Sequence, residues 1–530
     1  MCGIFAILNQ RNTEDDVQTT FIRGSHRGPD RSAYIKLNNE RVSLGFHRLA
    51  INGLNVASDQ PLQLSGCYLI ANAEIYNHTD LMHQINATPM TGSDCEVILH
   101  LYLRYGMEQT LAMIDGEFAF VLYDSNNKVL FSARDPYGVR SLYKAVHPNG
   151  QIAIASEVKM IQFNGSVYSQ HAPGTFETYK DGLFFEKQTY TRLPCVTAIS
   201  APPEAIVRNG LYAAVRKRVL NAERPMACLL SGGLDSSIVT ALVVQIRREL
   251  GMREPLQTFS IGLEGAEDLR YAQQVADFLG TAHTSVVLTE HDFFKAIPDV
   301  IWAIESYDTT TVRASVGNYL VAKHISQWSE AKVVFNGDGS DELTGGYLYF
   351  HYAPDAISKD AECRRLLKDI HLFDALRSDK SISSNGLEAR TPFLDNAFVQ
   401  AYMALPVEVR FPEGRCEKHL LRTAFQDMLP AQICWRRKEA FSDGVSSINR
   451  SWYQIITEMI PMAVQQSFQN YVEMRGSSEH LPPMTAEQYY YRTLFRFDPL
   501  LLPYFWMPKF VPAGDCSART LQVWNAGTVQ

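Results

Sequence analysis

A cysteine follows the first methionine directly, and Cys2 opens the apolar run Cys-Gly-Ile-Phe-Ala. Once Met1 is removed, a thiol and an α-amine sit on one residue. An unperturbed thiol titrates near ~8.5 and an α-amine near ~8, so the amine can serve as local base for the sulfur. A cysteine so placed can attack an amide, form a thioester and release ammonia. Taken alone, a cysteine at position two is usually an accident of position. Further polar groups give it a context: Ser-His-Arg-Gly-Pro-Asp at 25–30, His-Arg-Leu-Ala-Ile at 47–51, Asn-Ala-Glu-Ile-Tyr-Asn at 72–77 and Gly-Ser-Asp at 92–94. Each falls at a strand end or turn, where side chains can converge on one pocket. An arginine fork suits a carboxylate, a carboxylate suits an ammonium, and neutral N–H donors suit a tetrahedral oxyanion. A glutamine substrate needs that set. Asp94 also fits a helix start, where negative charge favours the dipole. His26 and His47 receive no proton-transfer role.

A second group lies far along the chain. Ser231-Gly232-Gly233-Leu234-Asp235-Ser236-Ser237 stands between an apolar run and a helical pattern. Its glycines let a ligand approach the backbone, and the N–H groups of the turn and helix start make an anion cradle. The Gly-Lys-Ser/Thr ending of a P-loop is absent, so that motif does not apply. A carboxylate in a phosphate cradle is repulsive unless a cation intervenes. Asp235 therefore implies Mg2+, held by one or two carboxylates and phosphate oxygens. Asn336-Gly337-Asp338-Gly339-Ser340-Asp341-Glu342 again follows an apolar run, and Asp341 is the expected second Mg2+ ligand. The run Asp308 to Arg313 offers donors to a small acidic substrate, and Glu388 to Asp395 adds Arg390. Trp435 to Glu439 brings Lys438, suited to charge developing on a phosphate. Arg436, Arg437 and Lys438 also fit a solvated basic face, and Tyr489, Tyr490 and Tyr491 fit packing better than stacking on a ligand.

The elements that must position these residues follow from periodicity. Apolar runs bounded by turn residues predict strands at 3–8, 68–71, 118–123, 129–133 and 151–155. One helix is expected over 94–105, with Ser93 and Glu96 as a capping box and Val97, Leu101 and Tyr105 on one face. Many strands and few helices predict two packed sheets, each buried on one face. Periodicity fails near Pro194, Pro202 and Pro203, which places a linker at 191–206 between a first domain over 2–190 and a second over 207–530. Beyond it, strands at 226–230, 256–263, 285–288 and 332–335 alternate with helices at 237–250 and 269–279, the latter stopped by Gly280. That alternation predicts a parallel sheet with helices on both faces and ligands at the carboxyl ends of the strands. The rest, to about residue 498, reads as mostly helical. The predicted fold class is a β-rich domain followed by an α/β domain.

Composition sets the outer limits. The 530 residues carry a formal net charge of −8, with 46% hydrophobic and 20% charged residues. This ordinary globular balance excludes disorder, collagen-like repeats and a disulfide mini-scaffold, and the mild acidity argues against a general nucleic-acid or membrane-surface binder. No apolar run reaches the ~18–20 residues of a membrane span, and no signal-peptide layout opens the chain. Nine cysteines without a Cys-x-x-Cys pair point to a reducing compartment and no zinc site. The expectation is a soluble, cytoplasmic, two-domain protein.

The first motif set resembles the glutaminase domain of class II glutamine amidotransferases, the N-terminal-nucleophile type. The resemblance implies Cys2 as nucleophile, Arg48 on the substrate carboxylate, Glu74 and Asp94 at its amino end, and Asn72 with the N–H of Ala73 as oxyanion hole. Backbone groups of Leu49, Ala50, Ile51 and Asn52 would line the pocket. The family usually has Gly where this chain has Ala73, and a positive φ there would cost alanine roughly 1–2 kcal/mol. The second set resembles the pyrophosphate loop of enzymes that split ATP into AMP and pyrophosphate to adenylate a substrate. That likeness assigns ATP to Leu229, Ser231, Gly232, Gly233, Asp235, Ser236, Ile261, Asn336 and Gly337. It assigns Mg2+ to Asp235 and Asp341, and catalysis to Asp338, Arg313 and Lys438.

In this order and at this length, the two sets resemble glutamine-hydrolysing asparagine synthetases of the B type, from about Cys2 to Leu521. His47–Ala50, Trp506–Lys509 and Ser517–Leu521 bring the chain nearer the eukaryotic branch. The resemblance implies a ligase that releases ammonia from glutamine, adenylates aspartate with MgATP and transfers the ammonia inside the protein. Its partners would be those small molecules and a second copy in a homodimer, with no nucleic acid and no membrane. Two departures stand out: Asn336 where the family usually has Ser, and Asp338 where it usually has Glu. Losing one methylene can retract a carboxylate by ~1 Å, which costs on the order of 10²-fold where geometry is tight. Two other readings stay open. One is an adenylating or lactam-forming relative with another acceptor; the other is a non-catalytic nucleotide-binding relative.

Overall fold

The computed structural model describes residues 1–37, 42–191, 193, 201–436, 439, 441–447, 450–474, 479–511 and 515–521. Contacts divide the chain into two compact units. The first comprises Met1–Arg192, Leu220–Pro225 and Ile382–Ala389; the second comprises Leu193–Val219, Met226–Ser381 and Arg390–Gln530.

The first unit holds two six-stranded sheets, and the pairings assigned to them are antiparallel. Strand Gly3–Leu8 lies between Val42–Arg48 and Ile152–Ala155 in one sheet. Strand Cys67–Ile75 pairs along its whole length with Gly116–Asp124 in the other. Side chains alternate across that second sheet with period two. Ile70, Ala119, Val121 and Tyr123 join Ile4, Ala6, Leu44 and Phe46 in the core between the sheets. Leu69, Ala71, Phe118, Phe120 and Leu122 instead pack with Val97, Ile98, Leu101 and Leu111, on helices Glu96–Tyr105 and Met107–Met113. The second sheet is therefore buried on both faces, not on one, which explains why its strands read as continuous apolar runs.

The helix near residue 94 begins two residues later than expected, at Glu96, and the capping box does not form. The Glu96 carboxylate is occupied by the N–H groups of Met90 and Thr91, at 2.8 and 2.7 Å, and by the Thr91 hydroxyl.

The second unit is built on four strands in the order Ala282–Leu288, Gln257–Leu263, Met226–Leu229 and Val333–Phe335, paired in parallel. Helix Leu234–Glu249 starts three residues before the expected 237, so Asp235 falls in its first turn. Helix Glu267–Leu279 ends on Gly280, at φ 71°, as the glycine stop predicts. Helix Thr309–Trp328, capped by the Asp308 side chain, has no counterpart in the periodicity reading. Of the expected linker, residues 192 and 194–200 lie outside the described residues, and helix Pro203–Leu220 already starts within the remainder. No helix among the described residues is long and apolar enough to cross a membrane.

Candidate active sites

In the first unit the chain start is held by the sheet it belongs to. The Cys2 thiol lies 3.5 Å from the Leu49 carbonyl, and burial pushes it up to about 11. The Met1 amine donates to the Leu387 carbonyl at 3.1 Å, and burial pushes it down to about 6. Arg27 Nε donates to the Cys2 carbonyl at 3.0 Å while its Nη1 meets Glu157 at 3.0 Å, which fixes the backbone that carries the sulfur.

Asn72 and Ala73, the residues expected to form an oxyanion hole, sit on strand Cys67–Ile75. Asn72 has the parity of Ile70, the face turned to the inter-sheet core against which Cys2 packs. It is 1% exposed, and its Nδ2 has no hydrogen-bond partner among the described residues. A buried amide donor left unpaired costs about 1–3 kcal/mol, a cost that a substrate oxygen would remove. Ala73 lies mid-strand opposite Phe118, and its φ is not positive. The strain considered for alanine at this position is absent.

The groups expected to meet a substrate carboxylate and ammonium are held in place by neighbouring residues. Arg48 pairs with Asp59 and donates to the carbonyls of Asn55, at 2.9 Å, Asn52, at 3.4 Å, and Gly53. Those contacts stretch the loop after strand Val42–Arg48 around the guanidinium, with Leu49 and Ile51 buried. Glu74 Oε2 accepts from Asn52 Nδ2 at 2.9 Å and from Asn221 Nδ2 at 2.7 Å. Asp94 accepts the Ile75 N–H at 2.7 Å. Gly53, at φ +58°, donates its N–H to Glu223 at 2.8 Å, and a Cβ there would meet Gly92 backbone at 2.5 Å. His47 is stacked on Phe21 and bonded to the Phe21 carbonyl and to Ser32, a structural role.

In the second unit a cavity of about 190 Å³ opens where strands Met226–Leu229 and Val333–Phe335 end. It is lined by Leu229, Ser231, Gly233, Asp235, Ser236 and Ile261 from one side and by Asn336, Gly337, Asp338 and Asp341 from the other. Gly232 has φ +72°, and a Cβ on it would lie 2.5 Å from the backbone of Tyr271 and Ala272. A Cβ on Gly337 would lie 2.8 Å from the Asp235 Cβ, so the two loops touch only because this residue is glycine.

The charges in this cavity are arranged in pairs. Lys418, at φ +57°, reaches both Asp235 oxygens at 2.7 Å and Asp341 Oδ1 at 2.5 Å. Ser340 Oγ adds a bond to Asp235 at 2.8 Å. Asp338 is held oxygen by oxygen: Asn336 Nδ2 donates to Oδ2 at 2.7 Å, and Arg377 donates to Oδ1 at 2.9 Å. Asn336 also donates to Ser378 Oγ at 2.7 Å, and Arg377 pairs with Asp374. Burial pushes the Asp338 carboxyl up to about 6 against the pull of Arg377.

Some expected residues lie elsewhere. Thr310 and Thr311 line the cavity, but Arg313 does not. One turn further along the helix, Arg313 is spent on Glu487, at 2.8 and 2.6 Å, and Asp515, at 2.8 and 3.0 Å. Arg390 is buried near the Arg218 carbonyl, and Tyr490 stacks on Phe294. Arg437 and Lys438 lie outside the described residues; Arg436 and Glu439, on either side, line the cavity. Sequence reasoning missed Asn221, Glu223, Arg377 and Lys418, none of which carries a local motif.

A glutaminase-like pair of sheets with a cysteine at its start, followed by a parallel sheet with glycine–acid loops, defines an amidotransferase joined to a nucleotide-using synthase. The glutamine amidotransferase domain model matches residues 1–201, and the asparagine synthase model matches residues 207–362 and 358–470. The chain is 39% identical to the asparagine synthetase (glutamine-hydrolyzing) of Gallus gallus over 561 residues, covering 98% of this chain and 99% of that protein. It is also 39% identical to the Homo sapiens protein of the same name, covering 98% of each. Among solved structures, glutamine phosphoribosylpyrophosphate amidotransferase from B. subtilis matches at 17% identity and a TM-score of 0.33, over 54% of this chain and 81% of that one. The chain belongs to the glutamine-hydrolysing asparagine synthetases.

Proposed function

We propose that this chain makes asparagine from aspartate with nitrogen taken from glutamine, converting ATP to AMP and pyrophosphate. The observation that carries the reading is the convergence of Asp235 and Asp341 on one cationic nitrogen beside the glycine loop. Two carboxylates from two strand-end loops share a cation position in a cavity with backbone N–H donors, the donor set that Mg2+ takes with a nucleotide. Asp235 and Asp341 would hold that ion, which when bound neutralises phosphate charge.

In the first unit, removal of Met1 leaves the Cys2 amine to take the thiol proton. The sulfur then attacks the carboxamide carbon of glutamine, with Asn72 Nδ2 and the Ala73 N–H receiving the oxyanion. Collapse forms a thioester and expels ammonia, and water returns glutamate. Arg48 receives the substrate carboxylate; Glu74 and Asp94 receive its ammonium. In the second unit, a side-chain carboxylate oxygen of aspartate attacks the α-phosphorus of ATP and pyrophosphate leaves. Ammonia then attacks the acyl carbon of the aspartyl adenylate and displaces AMP, with Asp338 placed to take the surplus proton. Lys438 is assigned to phosphate charge. Cytoplasmic residence and a homodimer belong to the same proposal, supported by the family resemblance.

The test is asparagine and pyrophosphate formation from aspartate and MgATP, with glutamine or ammonium, for wild type and Cys2→Ala. The expected result is that wild type uses both nitrogen sources and the variant only ammonium, with an intact mass lacking Met1. Use of ammonium alone by wild type would remove the glutaminase half. Absence of pyrophosphate with either source would remove the synthetase half and favour another acceptor or a binding role.

A further inference from the structure

The wall of the nucleotide cavity formed by Arg436 and Glu439 is held from outside by a residue that follows it 80 positions later. Arg519 donates to the Glu439 carboxylate from Nε at 2.9 Å and again from Nη2. Its remaining donors reach the Asp443 carbonyl at 2.9 Å and the Ser447 carbonyl at 2.7 Å. The Arg519 and Glu439 side chains are 7% and 5% exposed, so this is a buried clamp and not a surface ion pair. Neighbouring residues of the same tail repeat the attachment: Ser517 Oγ donates to Asp443 at 2.8 Å, and Asp515 pairs with Arg313.

The contacts continue inward. Glu439 stands 3.5 Å from Arg436, whose guanidinium meets Asp268 at 2.8 Å, lies 3.9 Å over the Tyr271 ring and reaches the Gly232 carbonyl at 3.3 Å. A chain of charge-assisted bonds thus runs from Arg519 through Glu439 and Arg436 to the glycine loop. A carboxylate lining a phosphate cavity opposes the ligand unless its charge is taken up elsewhere. Here Arg519 takes it up with a planar fork that also orders two backbone carbonyls, those of Asp443 and Ser447, a task lysine cannot copy.

We propose that Arg519 is a positioning residue for nucleotide binding: it turns the Glu439 charge away from the phosphates and sets Arg436 against the glycine loop. The inference rests on the reading of this cavity as the ATP site. Arg519 touches no reacting atom, so its removal acts on KM for ATP more than on kcat.

The test uses the full chain and measures aspartate-dependent ATP–pyrophosphate exchange, ATP-independent glutamine hydrolysis and thermal unfolding for wild type, Arg519→Ala, Arg519→Lys and Glu439→Gln. Arg519→Ala is expected to raise KM for ATP about 10-fold, as loss of one buried charge-assisted bond implies. Glutamine hydrolysis should stay within twofold of wild type. Added ethylguanidinium should lower that KM again, Arg519→Lys should not restore it, and the Arg519→Ala/Glu439→Gln double variant should be no worse than Arg519→Ala. A KM for ATP within twofold of wild type in Arg519→Ala would overturn the role, as would additive losses in the double variant. Equal loss of glutamine hydrolysis or failure to fold in Arg519→Ala, with Glu439→Gln normal in KM, also overturns it. Wild type lacking exchange altogether would sink the reading of the cavity instead.

Discussion

Asn336 and Asp338, the two departures from the family pattern in the synthetase site, are hydrogen-bond partners at 2.7 Å. The longer amide reaches the carboxylate that one methylene has retracted, and Arg377 holds the other oxygen. The pair is thus a matched exchange. Asn336→Ser and Asp338→Glu alone should each slow ammonium-dependent turnover by about 10-fold, and the double variant should recover most of it. The coupling read from such a cycle should fall in the roughly 0.5–3 kcal/mol range of touching residues; strictly additive effects would refute the match. Acid sensitivity follows from the same group. Burial raises Asp338 from 3.8 to about 6, so within that window the folded chain holds a proton that the unfolded chain releases. Its contribution to stability is lost as pH rises through the window, and the ionised carboxylate becomes available above it. Asparagine formation should therefore show an acid limb near pH 6, and Asn336→Ser, which removes a donor to the ionised form, should move that limb upward.

At the scale of elements, strand and loop demand opposite things of a small residue. Ala73 is in extended strand backbone, so Ala73→Gly relieves nothing and adds unfolded-state entropy. It should lower stability by about 0.5–1 kcal/mol and leave glutamine hydrolysis no faster, read by thermal melting and glutamate release. Gly232 has a left-handed φ with backbone 2.5 Å from a would-be Cβ. Gly232→Ala should abolish ATP–pyrophosphate exchange while glutamine hydrolysis persists. The same contrast explains what could be read in advance. The strand over Gly3–Leu8 and the glycine–acid loops were legible because alternation and turn chemistry are local. Strand Val42–Arg48 was not, since Gly45 and His47 interrupt its apolar pattern although both are buried. The capping box misled because Glu96 found backbone donors in the preceding loop, a choice that spacing cannot reveal. Arg313 matched a substrate-binding pattern and was claimed by acids 174 and 202 positions away.

At the scale of the whole molecule, the first unit is not a continuous stretch of chain. Leu220–Pro225 and Ile382–Ala389 belong to it, and through the former Asn221 bonds Glu74 and Glu223 bonds Gly53. Asn221→Ala in the full chain should raise KM for glutamine by about 5–10-fold without changing ATP–pyrophosphate exchange, the loss of one buried charge-assisted bond. A fragment ending at residue 192 should show at least that loss in glutamate release; a fragment with the KM of the full chain would show the returning segments to be dispensable. Lys418 carries a consequence of another kind. Its ammonium, seated between Asp235 and Asp341, is a counter-ion that the chain itself supplies. The fold therefore asks for no divalent ion to hold those acids together, and chelation of divalent ions should leave the melting temperature where it was.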